Sequence, residues 1–108
     1  MARPTHDQLL TILSRNHNGE RNSISGVALA AQLGVKARTI RALVLKLRQN
    51  AVAVCGRPET GYFLAETSDE IEATCASLES HGLHQLTVAA QMRKTTLPAL
   101  LGQLTLRI

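Results

Sequence analysis

Lys36, Arg38, Arg41, Lys46, Arg48 and Arg57 are the side chains of this 108-residue sequence whose type and spacing can do chemistry, and that chemistry is the holding of a polyanion. No carboxylate falls between Lys36 and Arg57. Within the run "LGVKARTIRALVLKLR" the cations alternate with Val, Ile and Leu. The stretch is therefore either a solvated basic helix face or a surface shaped for nucleic acid.

Other chemistries lack their residues. No Ser/His/Asp set, no paired carboxylates in an apolar setting and no phosphate-cradling Gly loop is present, so no catalytic residue, no enzymatic activity and no cofactor are expected. His81 and His84 stand three apart with Cys75 nearby. No carboxylate cluster or fourth ligand accompanies them, and they read as surface or helix-end histidines, not metal ligands. Cys55 and Cys75 are too few and too far apart for a disulfide framework; they are expected as small buried hydrophobes in a reducing compartment. There is no 18-residue apolar run and no charged-then-apolar leader, so a cytoplasmic protein without a membrane partner is expected.

Length allows one domain, or one small domain with an appendage. At 44% apolar and 19% charged, the composition is that of a globular protein. The only aromatics are Tyr62 and Phe63, so the core must be aliphatic. Such a core in so short a chain is marginal alone, which makes burial against a second copy plausible. The net charge of +4 is unevenly placed: residues 1–66 carry nine Lys/Arg against four Asp/Glu, and residues 67–108 carry three against four. The positive excess belongs to the first part of the chain.

The elements that must position the cations follow from local signals. Thr5 and Gln8 have capping-box spacing ahead of Leu9, Leu10, Ile12 and Leu13, which predicts a helix from about Thr5 to Arg15. "NHNGERNS" is a loop, Ile24 a single strand-like step, and Ser25 an N-cap. "SGVALAAQLG" predicts a short helix with Val27, Leu29, Ala30 and Leu33 available for burial, ended by Gly34. After the turn Leu33-Gly34-Val35, a third helix at about 36–49 places Ile40, Leu43, Val44 and Leu47 on one stripe. Arg38, Arg41, Ala42, Leu45, Lys46 and Gln49 take the opposite arc. "AVAVCGRPETGYFLAE" predicts two short strands around a Gly-bounded turn at 56–61. Thr67 and Glu70 open a helix in which Ile71, Cys75, Leu78, Gly82, Leu86 and Ala89 recur at spacings of three and four, read as continuous through Gly82 to about Lys94. "TTLPALLGQL" predicts a short apolar helix capped by Thr96, with Pro98 in its first turn, running to about Leu104.

This order of elements is that of a winged helix: mainly α with a small β-hairpin wing, followed by C-terminal helices. The segment Arg38-Thr39-Ile40-Arg41 after the turn resembles the recognition helix of the winged helix-turn-helix regulators typified by the N-terminal domain of biotin-protein ligase and the DeoR-like repressors. Gly61, Tyr62 and Leu64 are similar to their wing strand. The chain as a whole, with its "ATCASL" helix and "LPALLGQL" tail, resembles small winged-helix proteins of phages and prophages. One position departs from the pattern: Lys36 stands where those families place a Ser or Thr cap, and a lysine cannot accept a hydrogen bond from the helix N–H groups.

The resemblance implies a DNA-binding domain at 1–66, while residues 67–108, with their apolar stripe and near-neutral charge, either pack back on it or form a helical oligomerisation region, the latter being expected. It also implies a role as a sequence-specific double-stranded DNA-binding regulator of transcription. Arg38 and Arg41 would reach guanine edges or phosphates in the major groove, with Thr39 and Gln49 as further contacts. Lys36, Lys46 and Arg48 would neutralise phosphates. Arg57 at the wing tip would enter the adjacent minor groove, or be an exposed turn residue without consequence. Arg41 or Arg48 could instead pair with Glu66 or Glu59, and Tyr62 could stack on a base or cover the core. Leu45 could touch a thymine methyl or mark a face that meets protein. That last choice keeps a second reading open, an adaptor in a phage replication or host-takeover complex. A homodimer through the C-terminal helices is expected, with Leu97, Leu100, Leu101 and Leu104 in its contact or docking another protein.

Overall fold

Helix follows helix until residue 49, and only then does the chain reverse into strands. The computed structural model describes residues 5–57, 60–93, 97–99 and 101–102, and is mainly helical with one two-stranded antiparallel sheet. The order is α1 (His6–Asn16), a single 3-10 turn (Glu20–Asn22), α2 (Gly26–Leu33), α3 (Ala37–Gln49), β1 (Val54–Arg57), β2 (Gly61–Leu64) and α4 (Ser68–Met92). Residues 97–99 and 101–102 are also helical. The expected cap at Thr96, the tail residues Leu100 and Leu104, and Glu59 in the hairpin turn lie outside the described residues.

Helix ends fall where side chains can satisfy them. Thr5 Oγ1 accepts from Gln8 N and Gln8 Oε1 accepts from Thr5 N, closing the capping box of α1 at 3.4 and 2.8 Å. Ser25 Oγ caps α2 through Ala28 N at 3.1 Å. Gly34 closes that helix at φ 67°, with Val35 N donating to Ala30 O. Helix α3 ends on the same pair of reversed bonds, Ala51 N to Arg48 O and Val52 N to Leu47 O, but the left-handed position at φ 64° is held by Ala51.

The core is aliphatic and sits where three helices meet the sheet. Leu9 and Leu13 of α1, Leu29 and Ala30 of α2, Ile40, Val44 and Leu47 of α3, Ile24, Val54 and Tyr62 are all buried in one cluster. Tyr62 thus covers the core and is not presented to solvent. Leu33 and Leu43 pack half-buried against the cluster. Val27 does not join it: expected as a burial candidate, it is 75% exposed, because it stands in the first turn of α2 about 110° round the helix from the centre of the buried arc of Gly26, Leu29 and Ala30.

The hairpin pairs Val54 with Leu64, Cys55 with Phe63, Gly56 with Tyr62 and Arg57 with Gly61. Gly56 has φ 89°, and a Cβ there would run into the Gly61 carbonyl, so the two strands approach only because that atom is missing. The far edge of β2 is covered by the loop after α1. Ile24 and Tyr62 exchange N–H···O bonds of 2.9 and 2.7 Å, and Leu64 accepts from Gly19 and donates to His17. Ile24 is therefore the strand-like step expected of it.

The chain divides into two compact units, Met1–Thr74 and Cys75–Ile108, with the division inside α4. The first turns of α4 belong to the first unit through Glu70. Its carboxylate accepts from Glu66 N (2.7 Å), Thr67 N (3.2 Å) and Glu20 N (2.8 Å), while Thr67 Oγ1 accepts from Glu70 N at 3.2 Å. This is the expected capping box extended by a link to the loop near residue 20. The N–H groups of Glu66 and Glu20 in particular, helped by Arg21, hold the Glu70 carboxyl below its ordinary value of 4.5.

Helix α4 runs unbroken through Gly82. Among its residues only Ala90 is buried; Ile71 and Leu78 are 39% and 49% exposed. Cys55 is buried, but Cys75 is exposed, against the expectation that both thiols are interior, because α4 leaves that face uncovered within the chain. Among the described residues no helix is long and apolar enough to cross a membrane.

Two consequences can be measured. A carboxylate with a depressed folded pKa stabilises above its ordinary value and loses that contribution as pH falls through the lowered one. Thermal melts should therefore show Glu70→Gln less stable than wild type at pH 7, with the gap closing at pH 3. Ala51→Gly should relieve the left-handed strain and raise stability by about 0.5–1 kcal/mol, net of the glycine's extra unfolded-state freedom. Urea unfolding would register this as a higher midpoint at unchanged slope.

Candidate nucleic-acid interface

Helix α3 is divided lengthwise by its own sequence. Ile40, Val44 and Leu47 are buried, and Arg38, Arg41, Ala42, Leu45, Lys46 and Gln49 are exposed. Burial of the aliphatic stripe fixes the rotation of the helix about its axis, and that rotation is what turns Arg38, Arg41 and Lys46 outward. Thr39 is half-buried at the margin. Lys36 is exposed at the N-cap in extended conformation (φ −82°, ψ 157°) and makes no side-chain cap bond. The first N–H groups of α3 are thus left without a side-chain acceptor at the positive end of the helix dipole.

None of Lys36, Arg38, Arg41 and Lys46 forms an ion pair among the described residues. Glu66 lies 3.9 Å from Arg21, not from Arg41 or Arg48. Among the described residues, therefore, no carboxylate pairs with the exposed cations of α3. Leu45 sits among them at 55% exposure. Arg57 is exposed at the last register pair of the hairpin, opposite Gly61.

Arg48 is placed differently from the other cations. Its side chain is half-buried, with Nε donating to Val54 O at 2.8 Å and Nη2 to Gly56 O at 3.1 Å. These carbonyls lie on the edge of β1 that β2 does not pair, and Thr74 Oγ1 accepts from Gly56 N on that edge at 3.3 Å. Arg48 thus ties the last turn of α3 to the hairpin instead of joining the outward arc. The cause is geometric: on a helical wheel it lies only about 90° from the centre of the buried stripe, on the flank that the chain passes as it returns.

Two features were not singled out as site residues from the sequence. Val27 is exposed in the helix that precedes α3, and the uncapped α3 N-terminus offers N–H donors beside Lys36. The signal for the second was visible, since Lys36 is no acceptor. His81 and His84 are exposed, and among the described residues no group of three or more His, Cys, Asp or Glu is disposed to hold a metal ion.

Arg48→Ala should cost about 1.5–3 kcal/mol, the range for hydrogen bonds to a charged group. Arg38→Ala and Arg41→Ala should stay within about 0.5 kcal/mol of wild type in the same urea titration. Comparison of the chain with protein-family models, with curated proteins and with solved structures finds no match in any of the three, so the reading of this surface rests on its residues and their geometry.

Proposed function

We propose that this chain is a winged-helix protein that binds double-stranded DNA sequence-specifically, with α3 as the recognition helix in the major groove and the β1–β2 hairpin as a wing near the minor groove. The observation that carries the reading is the outward arc of α3: Lys36, Arg38, Arg41 and Lys46 are exposed, free of ion pairs among the described residues, and fixed in direction by the buried stripe behind them. A helix fits the width of the major groove, where each base pair shows a distinct donor and acceptor pattern.

Arg38 and Arg41, mid-arc, are the base-reading or phosphate-bonding pair, with Gln49 and Thr39 as lesser contacts. Lys36 and Lys46 neutralise phosphates, and the open N–H groups at the start of α3 add donors for one of them. Arg57 reaches towards the minor groove. Arg48 positions the wing, since two of its donors serve β1. The element order and the strand-like bridge of Ile24 to Tyr62 support the winged-helix assignment. The role in transcription and the phage or prophage setting rest on the sequence resemblance alone. The reading is of a binding protein, not an enzyme.

A protein-interaction adaptor is the second reading, favoured by the exposure of Leu45 and Val27. Salt separates the two. Fluorescence anisotropy of labelled duplex, titrated at several salt concentrations, should show binding that weakens steeply, with log K falling by about 0.9 per phosphate contact per decade of salt. Arg38→Ala/Arg41→Ala should lower affinity at least tenfold and flatten the slope while the chain stays folded. Absence of binding at low salt by folded wild type would overturn the DNA reading and direct attention to Leu45 and Val27.

A further inference from the structure

Helix α4 is 25 residues long, about 37 Å at the usual rise, yet buries one residue. A helix is held in proteins mainly by packing one face, so most of α4 lacks the support its length requires. Its stripe is Ile71, Cys75, Leu78, Gly82, Leu86 and Ala89, followed at the same angular position by Arg93, which continues the helix through Arg93 N to Ala89 O. All lie within about 40° of Gly82 on the wheel. The successive spacings along this stripe are 4, 3, 4, 4, 3 and 4, a series that reads the same in both directions from Gly82.

That symmetry is what a two-fold interface demands, since each residue must meet its counterpart on an identical surface. With two copies antiparallel and crossing at Gly82, Leu78 meets Leu86 twice, Cys75 meets Ala89 twice, and glycine faces glycine at the axis. Leucines are matched with leucines and small residues with small ones, while at each end Ile71 meets the aliphatic stem of Arg93. Among the described residues nothing crowds Gly82, since a Cβ built there meets nothing within 4 Å, and glycine inside a helix costs about 1 kcal/mol relative to alanine. At a crossing point the missing side chain lets two backbones approach. Charge selects the same direction. The first half of α4 carries Asp69, Glu70, Glu72 and Glu79, and its end carries Arg93. Antiparallel pairing lays Arg93 beside the turn that holds Glu72 of the other copy and opposes the two helix dipoles, whereas parallel pairing stacks acid on acid.

We propose that the face of α4 centred on Gly82, exposed at Ile71, Cys75, Leu78 and Gly82 and half-buried at Leu86 and Ala89, is the contact with a second copy of this chain, an antiparallel helix pair crossing at Gly82. The inference stands on α4 alone and does not need the DNA reading, although a two-fold dimer would present α3 twice. Sedimentation equilibrium of the full chain at micromolar concentration should give a dimer. Gly82→Leu should keep the helical circular-dichroism signal, because its side chain enters open space in the single chain, while weakening the dimer by about tenfold or more.

Direction is read by cysteine oxidation. Wild type, whose two Cys75 side chains would sit about 21 Å apart along the axis, should stay uncrosslinked, and Ala89→Cys should form dimers through Cys75 of one copy and residue 89 of the other. A monomeric wild type, a Gly82→Leu chain as dimeric as wild type, ready Cys75–Cys75 crosslinking, or no crosslinking of Ala89→Cys would each overturn the proposal. Arg38→Ala/Arg41→Ala should remain dimeric, so failure of the DNA reading and failure of this one are seen separately.

Discussion

The burial of Ile40, Val44 and Leu47 against α1 and α2 is the constraint on which the other features depend. Three side chains on one stripe hold α3 at a fixed rotation. Without that rotation, Arg38, Arg41 and Lys46 would be cations on a solvated helix with no common direction. Deleting a buried leucine or isoleucine of this kind typically costs about 2–5 kcal/mol, a large part of what so small a unit has, so folding and presentation of the basic arc are the same event. The clean division of α3 also explains how an aliphatic core nearly without aromatics suffices: two helices and a hairpin are pinned to one amphipathic element, and Tyr62 supplies the only large ring of the cluster.

The hairpin is the second structure pinned to α3. An isolated two-stranded ribbon is marginal in water. Here both outer edges are occupied, that of β2 by the backbone of residues 18–24 and that of β1 by Arg48 and Thr74. Arg48 suits the task because a planar guanidinium can meet two carbonyls at once, two residues apart on one strand edge. The same bonds close an edge that would otherwise invite another strand.

Local signals were legible where the chain answers a local need. The capping boxes at Thr5/Gln8 and Thr67/Glu70, the Ser25 cap, the Gly34 terminus and the division of α3 are all satisfied by residues within four positions, and all are present in the structure. What could not be read depended on contacts distant in sequence. Arg48 looks like any other cation of its run until the returning strand passes it. Ala51 in the left-handed position defies propensity because the packing of Leu47 and Val54 on either side dictates the turn. Val27 and Cys75 are apolar in type yet exposed, because the tendency of apolar residues to be buried runs in one direction only. Glu70 has the spacing of a helix cap, and its reach to Glu20 N is a tertiary fact with no mark in the local sequence.

The arrangement of the carboxylates completes the electrostatic argument. A surface that holds a polyanion fails if the protein's own acids compete for its cations, and three carboxylates of the first unit, Glu70, Glu66 and Asp7, are held beside other groups. Glu70 accepts three backbone N–H groups, which satisfies its charge away from α3. Glu66 faces Arg21, an exposed pair at 3.9 Å that adds little stability but keeps that acid beside the loop. Asp7 stands in the first turn of α1, at the positive end of that helix's dipole. Each of these acids has a local partner, whereas Lys36, Arg38, Arg41 and Lys46 have none among the described residues. Among the described residues these three acids are held near local groups while the cations of α3 face outward, the arrangement that the proposed reading of the arc as an anion-binding surface requires.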